Sequence, residues 1–366
     1  MLRHYRRFWV LWAAVLLSAP LIICLFAPDS GTISADELRP LAPLPSFPQR
    51  PSEWKNLPVA ADAYLGDHFG LRHFLIHADA LVSQVLLRSG NAQVLIGHDG
   101  WMFYRGDDLV LQSAGLMVRD SMVIATADFL AKMHGILAAR GIKFIVASPP
   151  NSATIYADML PGWARNTGRR TEYDLLLEAL AARGVPTVDL RPPLRAGQFE
   201  GKTYHEHDTH WTVRGSIDGF NATAVAAGHP DWWTVPKTVL GPPTTIVGGD
   251  LARMLGIASD VTERDEGLTL PPVKREVFGT EPAPPYLATA DRAGPTIMVI
   301  GDSFTVWQFA PVLLLHTGRM AWLPHQSCGF EWRWIDKFHP DEVWWMPTER
   351  YFVCMPGARP VDFPPE

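Results

Sequence analysis

Short apolar runs alternate with amphipathic stretches along most of the chain. Buried strands are predicted where the runs are almost wholly apolar, at 142–147, 185–190, 296–300, 319–323 and 342–346. Helices are predicted where apolar residues recur at helical spacing, at 121–140, 171–183, 212–228, 305–317 and 330–337. Strands and helices that alternate at these lengths predict an α/β fold with a mostly parallel sheet covered on both faces.

The longest uncharged run lies near the N-terminus. Arg3, Arg6 and Arg7 precede an uncharged stretch at 8–27. Such a stretch is long enough for the hydrocarbon core, and its basic flank predicts that the short N-terminal end stays in the cytoplasm. Residues 1–28 are therefore predicted to be a membrane anchor. A cleaved signal peptide is the alternative, although the run exceeds the roughly 7 to 15 residues of such a segment and no Ala-x-Ala site follows it.

Proline separates this anchor from the folded part of the chain. Prolines stand at positions 40, 43, 45, 48, 51 and 58, which favours an extended spacer. We therefore expect a linker at 29–57, one folded domain at 58–356 and a short tail at 357–366. Within the domain, residues 235–295 are rich in glycine and proline and are predicted to be an irregular insertion.

The composition limits the classes of partner. The chain is 47% hydrophobic and 19% charged, which is typical of a globular domain. A net charge of -6, with no basic cluster beyond the N-terminal arginines, argues against nucleic acid. Its 14 tryptophans either pack in the core or stack on sugars. Cys24 falls in the predicted anchor, and Cys328 and Cys354 are free to pair outside the cytoplasm.

One serine stands directly after a predicted strand. Ser303 lies in the sequence Gly-Asp-Ser-Phe at 301–304, after the strand at 296–300. A serine at the carboxyl end of a parallel strand faces the crevice where α/β sheets bind ligands, near outward-pointing backbone amides. Its hydroxyl becomes a nucleophile only beside a base. The alternative is that Asp302 or Ser303 merely caps the following helix.

Asp208 and His210 supply a candidate acid and base. In an extended segment residues i and i+2 point to the same side, so the carboxylate can hold the imidazole in one tautomer. Together with Ser303 they form a candidate Ser/His/Asp triad. The order acid, base, nucleophile excludes an α/β-hydrolase, which runs serine, acid, histidine and has a second glycine where this chain has Thr305. The alternative is that His210 and Trp211 pack a strand end.

Three further residues are candidates for contacting substrate or an oxyanion. Asn151 follows the strand at 142–147 and is expected on the same rim as Ser303, where its amide can donate to an oxyanion. Asp302 and Trp211 adjoin the candidate triad. A turn role after Pro149 and Pro150 is the alternative for Asn151.

A zinc site is an alternative use of the histidines in this segment. His205, His207, Asp208 and His210 alternate in a pattern that can present ligands on one side of a strand. No second cluster supplies the remaining ligand, so we expect neither a metal nor another cofactor.

Five blocks of sequence resemble the SGNH-like alginate O-acetyltransferase family of bacterial exopolysaccharide systems, the AlgJ and AlgX group. The blocks lie at 97–104, 149–156, 207–212, 249–251 and 301–304. Asp-Thr-His-Trp followed by Gly-Asp-Ser-Phe is the most specific pair, and the resemblance covers about residues 60–352. It implies a circularly permuted, SGNH-hydrolase-like fold of three layers, preceded here by the membrane helix.

The resemblance also implies roles and partners. Ser303 would carry the acetyl group, His210 would act as base and acid, and Asp208 would orient it. The enzyme would lie in the periplasm at the bacterial inner membrane and acetylate hydroxyls of a polysaccharide, with acetyl groups supplied by a membrane-bound O-acyltransferase. Asn151 departs from the family, many members of which have lysine there. The chain ends soon after the strand at 342–346, which predicts the single-domain, anchored type. An acetylesterase and a noncatalytic glycan-binding subunit stay open as alternatives.

Overall fold

A six-stranded mixed sheet organises the larger part of this computed structural model. The strands of the chain are β1 (Val94–Ile96), β2 (Met102–Tyr104), β3 (Lys143–Val146), β4 (Leu240–Val247), β5 (Thr262–Leu268), β6 (Val273–Val277), β7 (Tyr286–Ala290), β8 (Thr296–Gly301), β9 (Arg319–Pro324) and β10 (Glu342–Met346). The sheet order is β3-β10-β8-β9-β7-β6. β3, β10, β8 and β9 are parallel, whereas β7 and β6 are antiparallel additions.

Among the described residues the longest helix is Asp120–Ala139, with 20 residues. The helices are Leu57–Asp67, Leu109–Ser113, Asp120–Ala139, Ser152–Ile155, Glu172–Ala181, Arg191–Gly197, Val213–Ala226, Pro236–Val239, Asp250–Met254, Ala310–Leu313 and Arg333–Phe338. Thr171 and Thr212 cap two of them through their side chains, because each hydroxyl accepts a backbone N–H from the first turn. A π-helical turn, Thr305–Phe309, precedes Ala310–Leu313.

The structure describes residues 5–15, 18, 40–68, 72, 75, 78, 90–269, 273–354, 361 and 363–364. The chain divides into two compact units, Met1–Ile96 with Val247–Val261, and Gly97–Ile246 with Thr262–Glu366. In the first unit, the Asn91 side-chain amide donates to Met254 O at 3.0 Å. The second unit contains the six-stranded sheet. The predicted domain and linker boundaries stay predictions.

Two adjacent tryptophans show how the second unit is layered. Trp345 in β10 contacts Phe129 of the helix Asp120–Ala139, with ring centroids 5.8 Å apart. Trp344 points the opposite way and contacts Phe220 of the helix Val213–Ala226 at 6.3 Å. Because successive strand residues face opposite sides, the sheet carries a helical layer on each face.

Most of the predicted elements are confirmed, but the strand predicted at 185–190, the irregular insertion predicted at 235–295 and the helix predicted at 305–317 differ from the structure. The strand predicted at 185–190 is wrong, since only an isolated bridge between Val146 and Thr187 forms there. Pro186 lacks an N–H and so cannot extend a strand ladder in both directions. Residues 235–295 are not irregular, because they contain β4 to β7, and β7 pairs with β9 through the register Tyr286 to Trp322.

The predicted anchor lies mostly outside the described residues. Residues 5–15 are helical, and of the rest of 1–28 only Ser18 is described. Among the described residues, one helix is long and apolar enough to cross a membrane, Asp120–Ala139. Val123, Leu130 and Met133 on this helix are buried in the core of the second unit.

A disulfide joins Cys328 to Cys354, with their Cα atoms 5.2 Å apart. The pairing considered from the sequence is therefore present. The bond spans a sequence separation of 26 residues. A cross-link over such a loop stabilises the folded state by about 3 kcal/mol. It fixes a turn, Gln326–Cys328, in which all three residues have positive φ, at 45°, 53° and 72°.

Candidate active site

Ser303 lies in a tight turn directly after β8. Gly301 ends the strand, and a Cβ at this position would lie 2.4 Å from Thr305 Oγ1 and 3.0 Å from Met346 O. Only glycine lets β8, the turn and β10 approach so closely. Asp302 then accepts hydrogen bonds from Phe304 N at 3.1 Å and Thr348 N at 2.7 Å. The carboxylate thus ties the serine's turn to the segment after β10.

A narrow hairpin carries the candidate acid and base. Thr212 N donates to Thr203 O at 3.0 Å, and Tyr204 and Trp211 form an antiparallel bridge. Trp211 is fully buried, and its indole N–H donates to Phe304 O at 3.0 Å. Trp211 therefore attaches the hairpin to the turn that holds Ser303. Because its ring is buried, Trp211 cannot present a face to substrate, and its contact with Phe304 positions the turn.

The hairpin brings Asp208 and His210 to Ser303. His210 Nδ1 lies 2.6 Å from Asp208 Oδ1, and His210 Nε2 lies 2.8 Å from Ser303 Oγ. Asp208 Oδ1 also accepts the His210 backbone N–H at 3.0 Å. The hydroxyl, imidazole and carboxylate are thus in the hydrogen-bonded order that a base-activated serine requires.

His205 has a different environment on the same hairpin. Its Nδ1 lies 3.3 Å from Glu263 Oε2 and its Nε2 lies 3.3 Å from Asp265 Oδ2, and all three side chains are buried. Burial lowers the pKa of His205, but the two β5 carboxylates outweigh this effect and raise it to about 10. His205 is therefore an imidazolium at neutral pH. Each ring nitrogen of His205 and of His210 lies within 3.3 Å of a protein group.

This buried ion cluster predicts a pH-dependent loss of stability in His205→Gln. Since the pKa of His205 rises from 6.5 to about 10 on folding, its stabilisation is complete below pH 6.5 and is lost as the pH rises through about 10. Breaking the cluster should lower the free energy of unfolding by about 3 kcal/mol near pH 6. Urea unfolding of both proteins at several pH values measures the difference, which should shrink toward pH 10.

The matched control is His134→Gln, because the His134 ring stacks on Phe144 at 6.1 Å. Its effect on the free energy of unfolding should not change between neutral pH and pH 10. If the loss of unfolding free energy in His205→Gln were also independent of pH, the His205 ring would stabilise the fold by packing alone.

Asn151 belongs to a buried network beneath the sheet rim. Its backbone N–H donates to Glu349 Oε2 at 2.7 Å, and its side-chain amide faces Gln112 and Ser113. Burial raises the pKa of Glu349 to about 7, although the hydrogen bonds from Asn151 and Thr154 oppose it. Asn151 is 1% exposed and does not line the described cavity beside Ser303. Its suggested role at the oxyanion stays a prediction.

A cavity of about 420 Å³ opens beside Ser303. Its lining is largely apolar and includes Val306, Trp307, Trp322, Pro324, His325 and Tyr351. Trp307 is 65% exposed at its rim. Burial lowers the pKa of His325 to about 3, so this ring is neutral and its Nε2 accepts the Cys328 N–H at 3.1 Å.

Sequence reasoning missed these cavity residues and the shape of the turn. Trp307 follows Ser303 by four residues, so helical spacing alone was a usable signal. The helix predicted at 305–317 is a π-helical turn and then Ala310–Leu313. Asp302 already engages the amide of Phe304, and its backbone carbonyl accepts the amide of Thr305 at 3.1 Å. Ser303 N–H is consequently the candidate oxyanion donor of this turn.

Comparison with known proteins identifies the family. The family model described as "SGNH hydrolase-like domain, acetyltransferase AlgX" matches residues 94–338, which is more than half of the chain. The chain belongs to this family. The family and the SGNH-like α/β fold predicted from the sequence are thereby confirmed, with the sheet mixed instead of mostly parallel at its β7 and β6 edge. The N-terminal membrane helix that was part of the predicted fold stays a prediction.

The chain is also similar to individual relatives and to solved structures. The probable alginate O-acetylase AlgJ of Pseudomonas aeruginosa is 24% identical over 157 residues, which are 43% of this chain and 39% of that protein. The match therefore spans less than half of that relative's length. A DHHW family protein from Eubacterium siraeum superimposes with a TM-score of 0.53 at 14% identity, covering 72% of this chain and 93% of that one. PatB1 of Bacillus cereus gives 0.52 at 12% identity, covering 71% and 97%. At these identities the two structures show a shared fold.

Proposed function

We propose that this protein is an O-acetyltransferase that moves an acetyl group through Ser303 onto hydroxyls of a secreted polysaccharide. The observation that carries the proposal is the chain of contacts from Asp208 Oδ1 to His210 at 2.6 Å and from His210 Nε2 to Ser303 Oγ at 2.8 Å. Membership of an acetyltransferase family supports acyl transfer as the reaction class.

The reaction takes two balanced steps. First, His210 Nε2 takes the Ser303 proton while Oγ attacks the carbonyl carbon of an acetyl donor, and the leaving group departs with that proton. Ser303 then holds the acetyl group as an ester. Second, a glycan hydroxyl gives its proton to His210 and attacks the ester, and Ser303 Oγ recovers the proton as the acetylated glycan leaves.

The surrounding contacts hold the reacting side chains in position. Asp208 accepts a hydrogen bond from Nδ1–H of His210, and the unprotonated Nε2 can then take the Ser303 proton. Asp302 and Trp211 act as positioning residues, since one fixes the serine's turn and the other joins that turn to the hairpin. Negative charge that develops on the acyl oxygen is stabilised by the Ser303 N–H, with Asn151 as a further candidate donor.

Localisation and supply of acetyl groups follow from the same proposal. Residues 1–28 would anchor the protein in the bacterial inner membrane with the catalytic domain in the periplasm. A membrane-bound O-acyltransferase would then deliver acetyl groups to the Ser303 cavity. The disulfide between Cys328 and Cys354 supports an oxidising compartment.

The fate of the acetyl group separates this function from its rivals. The protein is incubated with an activated acetyl ester, with and without glycan oligomers, and both acetylated oligomer and free acetate are measured. A transferase produces acetylated oligomer. Acetate release that the oligomers leave unchanged would indicate an esterase, and no consumption of the ester would indicate a noncatalytic subunit.

A further inference from the structure

A second cavity, of about 540 Å³, lies along the helix Val213–Ala226. This volume falls within the roughly 300 to 1,000 Å³ of ordinary ligand pockets. Arg214, Asp218, Asn221 and Val225 line it at helical spacing, so they form one stripe of the helix. The helix begins three residues after His210, and Arg214 in its first turn is the lining residue nearest in sequence to the proposed base.

Asp218 is the unusual group in this cavity. Its Oδ2 is buried, and among the described residues it has no hydrogen-bond partner. It packs against Gly197, where a Cβ would lie 2.0 Å from Oδ2. Burial raises the pKa of Asp218 to about 7, with Arg214 opposing and Glu200 adding to the effect. Leaving a buried carboxyl oxygen without a hydrogen bond is costly, and among the described residues no hydrogen bond to Oδ2 offsets this cost.

An exposed tryptophan, Trp233, lines the same cavity between two residues that are held by contacts. Trp233 lines the cavity and is 57% exposed. Its neighbour Trp232 is buried and stacks on His229 with ring centroids 3.8 Å apart. Its other neighbour, Thr234, exchanges two hydrogen bonds with the Asn221 side chain, at 2.9 and 2.8 Å. The backbone on both sides of Trp233 is therefore held in place, and its indole ring is exposed at the cavity.

We propose that this cavity binds a stretch of the acceptor polysaccharide away from the reacting hydroxyl. A sugar ring stacks its apolar face on Trp233, and its hydroxyls hydrogen-bond to the Asp218 carboxyl group and to Arg214, whose guanidinium group also pairs with Glu200 at 3.4 Å and Glu266 at 3.0 Å. An exposed aromatic face beside a carboxyl and a guanidinium group suits a glycan, whose rings have apolar faces and polar edges. The inference rests on the proposed function, because it assigns the glycan as acceptor.

Binding measurements on the full chain test this site. Oligosaccharides of polymannuronate and of neutral β-1,4-glucan are titrated into the wild-type protein, Trp233→Ala and Asp218→Asn. Either variant should bind the preferred oligomer about tenfold more weakly, since an anchoring aromatic or a desolvated polar group dominates a site of this size. Trp163→Ala is the matched control, because Trp163 is also 57% exposed but does not line this cavity. Its affinity should equal that of the wild type.

The same variants separate this inference from the proposed function. Trp233→Ala and Asp218→Asn should form the acetyl-serine at the wild-type rate and show a raised KM for long oligomers only. Binding of neither oligomer by the wild type, or equal binding by wild type and variants, would overturn the glycan site. Those outcomes would leave acetyl-serine formation, and with it the proposed function, standing on its own test.

Discussion

Ser303→Ala is expected to reduce acetyl transfer to the uncatalysed background. The variant keeps the hairpin and the turn, because the described hydrogen bond of Ser303 Oγ is the one to His210, while Asp302 and Trp211 hold the backbone. Without Oγ no acyl ester forms. Loss of the nucleophile in Ser/His/Asp enzymes lowers kcat by about 10⁶-fold. Steady-state transfer to glycan oligomers, with thermal unfolding in parallel, measures the effect.

The matched control for this variant is Ser327→Ala. Ser327 lines the same cavity but belongs to the turn after β9, so its loss should leave transfer within about twofold of the wild type. If Ser303→Ala retained wild-type transfer, another group would have to carry the acetyl group, and the assignment of Ser303 would be withdrawn.

Asp208→Asn is expected to lower kcat by about 10⁴-fold with little change in the fold. An asparagine amide that donates to His210 Nδ1 forces the imidazole proton onto Nε2. His210 Nε2 would then donate to Ser303 Oγ and could not take its proton. The expected signature is a loss in kcat with KM nearly unchanged, measured with the acetyl ester as the varied substrate.

Asp231→Asn provides the matched control. Asp231 is exposed in the turn Pro230–Trp232, and its substitution should leave kcat unchanged. Equal activity of Asp208→Asn and the wild type would contradict the proposed role of the carboxylate. It would leave His210 oriented by other contacts.

The sequence revealed the centre of the fold because local patterns there are strong. After its first residue each of β8 and β10 is apolar, and both strands are buried along their whole length, so composition alone indicates them. Thr212 and Gly228 flank their helix in the expected cap positions. The spacing of Asp208 and His210 predicted that their side chains point to the same side, and in the hairpin the two side chains are in contact.

The sheet edge and the ion cluster could not be predicted in the same way. β6 has the sequence Val-Lys-Arg-Glu-Val and is exposed throughout, so it lacks the apolar signal of an inner strand. His205 meets Glu263 and Asp265 only because β5 packs beside the hairpin, more than fifty residues later in the chain. Contacts between residues so far apart in sequence depend on tertiary packing, which cannot be inferred from secondary-structure propensity or from the spacing of residues.

Peptide mapping of the acetylated protein tests the central claim most directly. The protein is mixed with an activated acetyl ester, quenched with acid, digested and examined by mass spectrometry, with glycan oligomers added to half of the sample before quenching. The account predicts one acetyl group on the peptide that contains Ser303, lost on addition of oligomers as acetylated glycan appears. Acetylated glycan formed with no acetyl group ever detected on that peptide would contradict it.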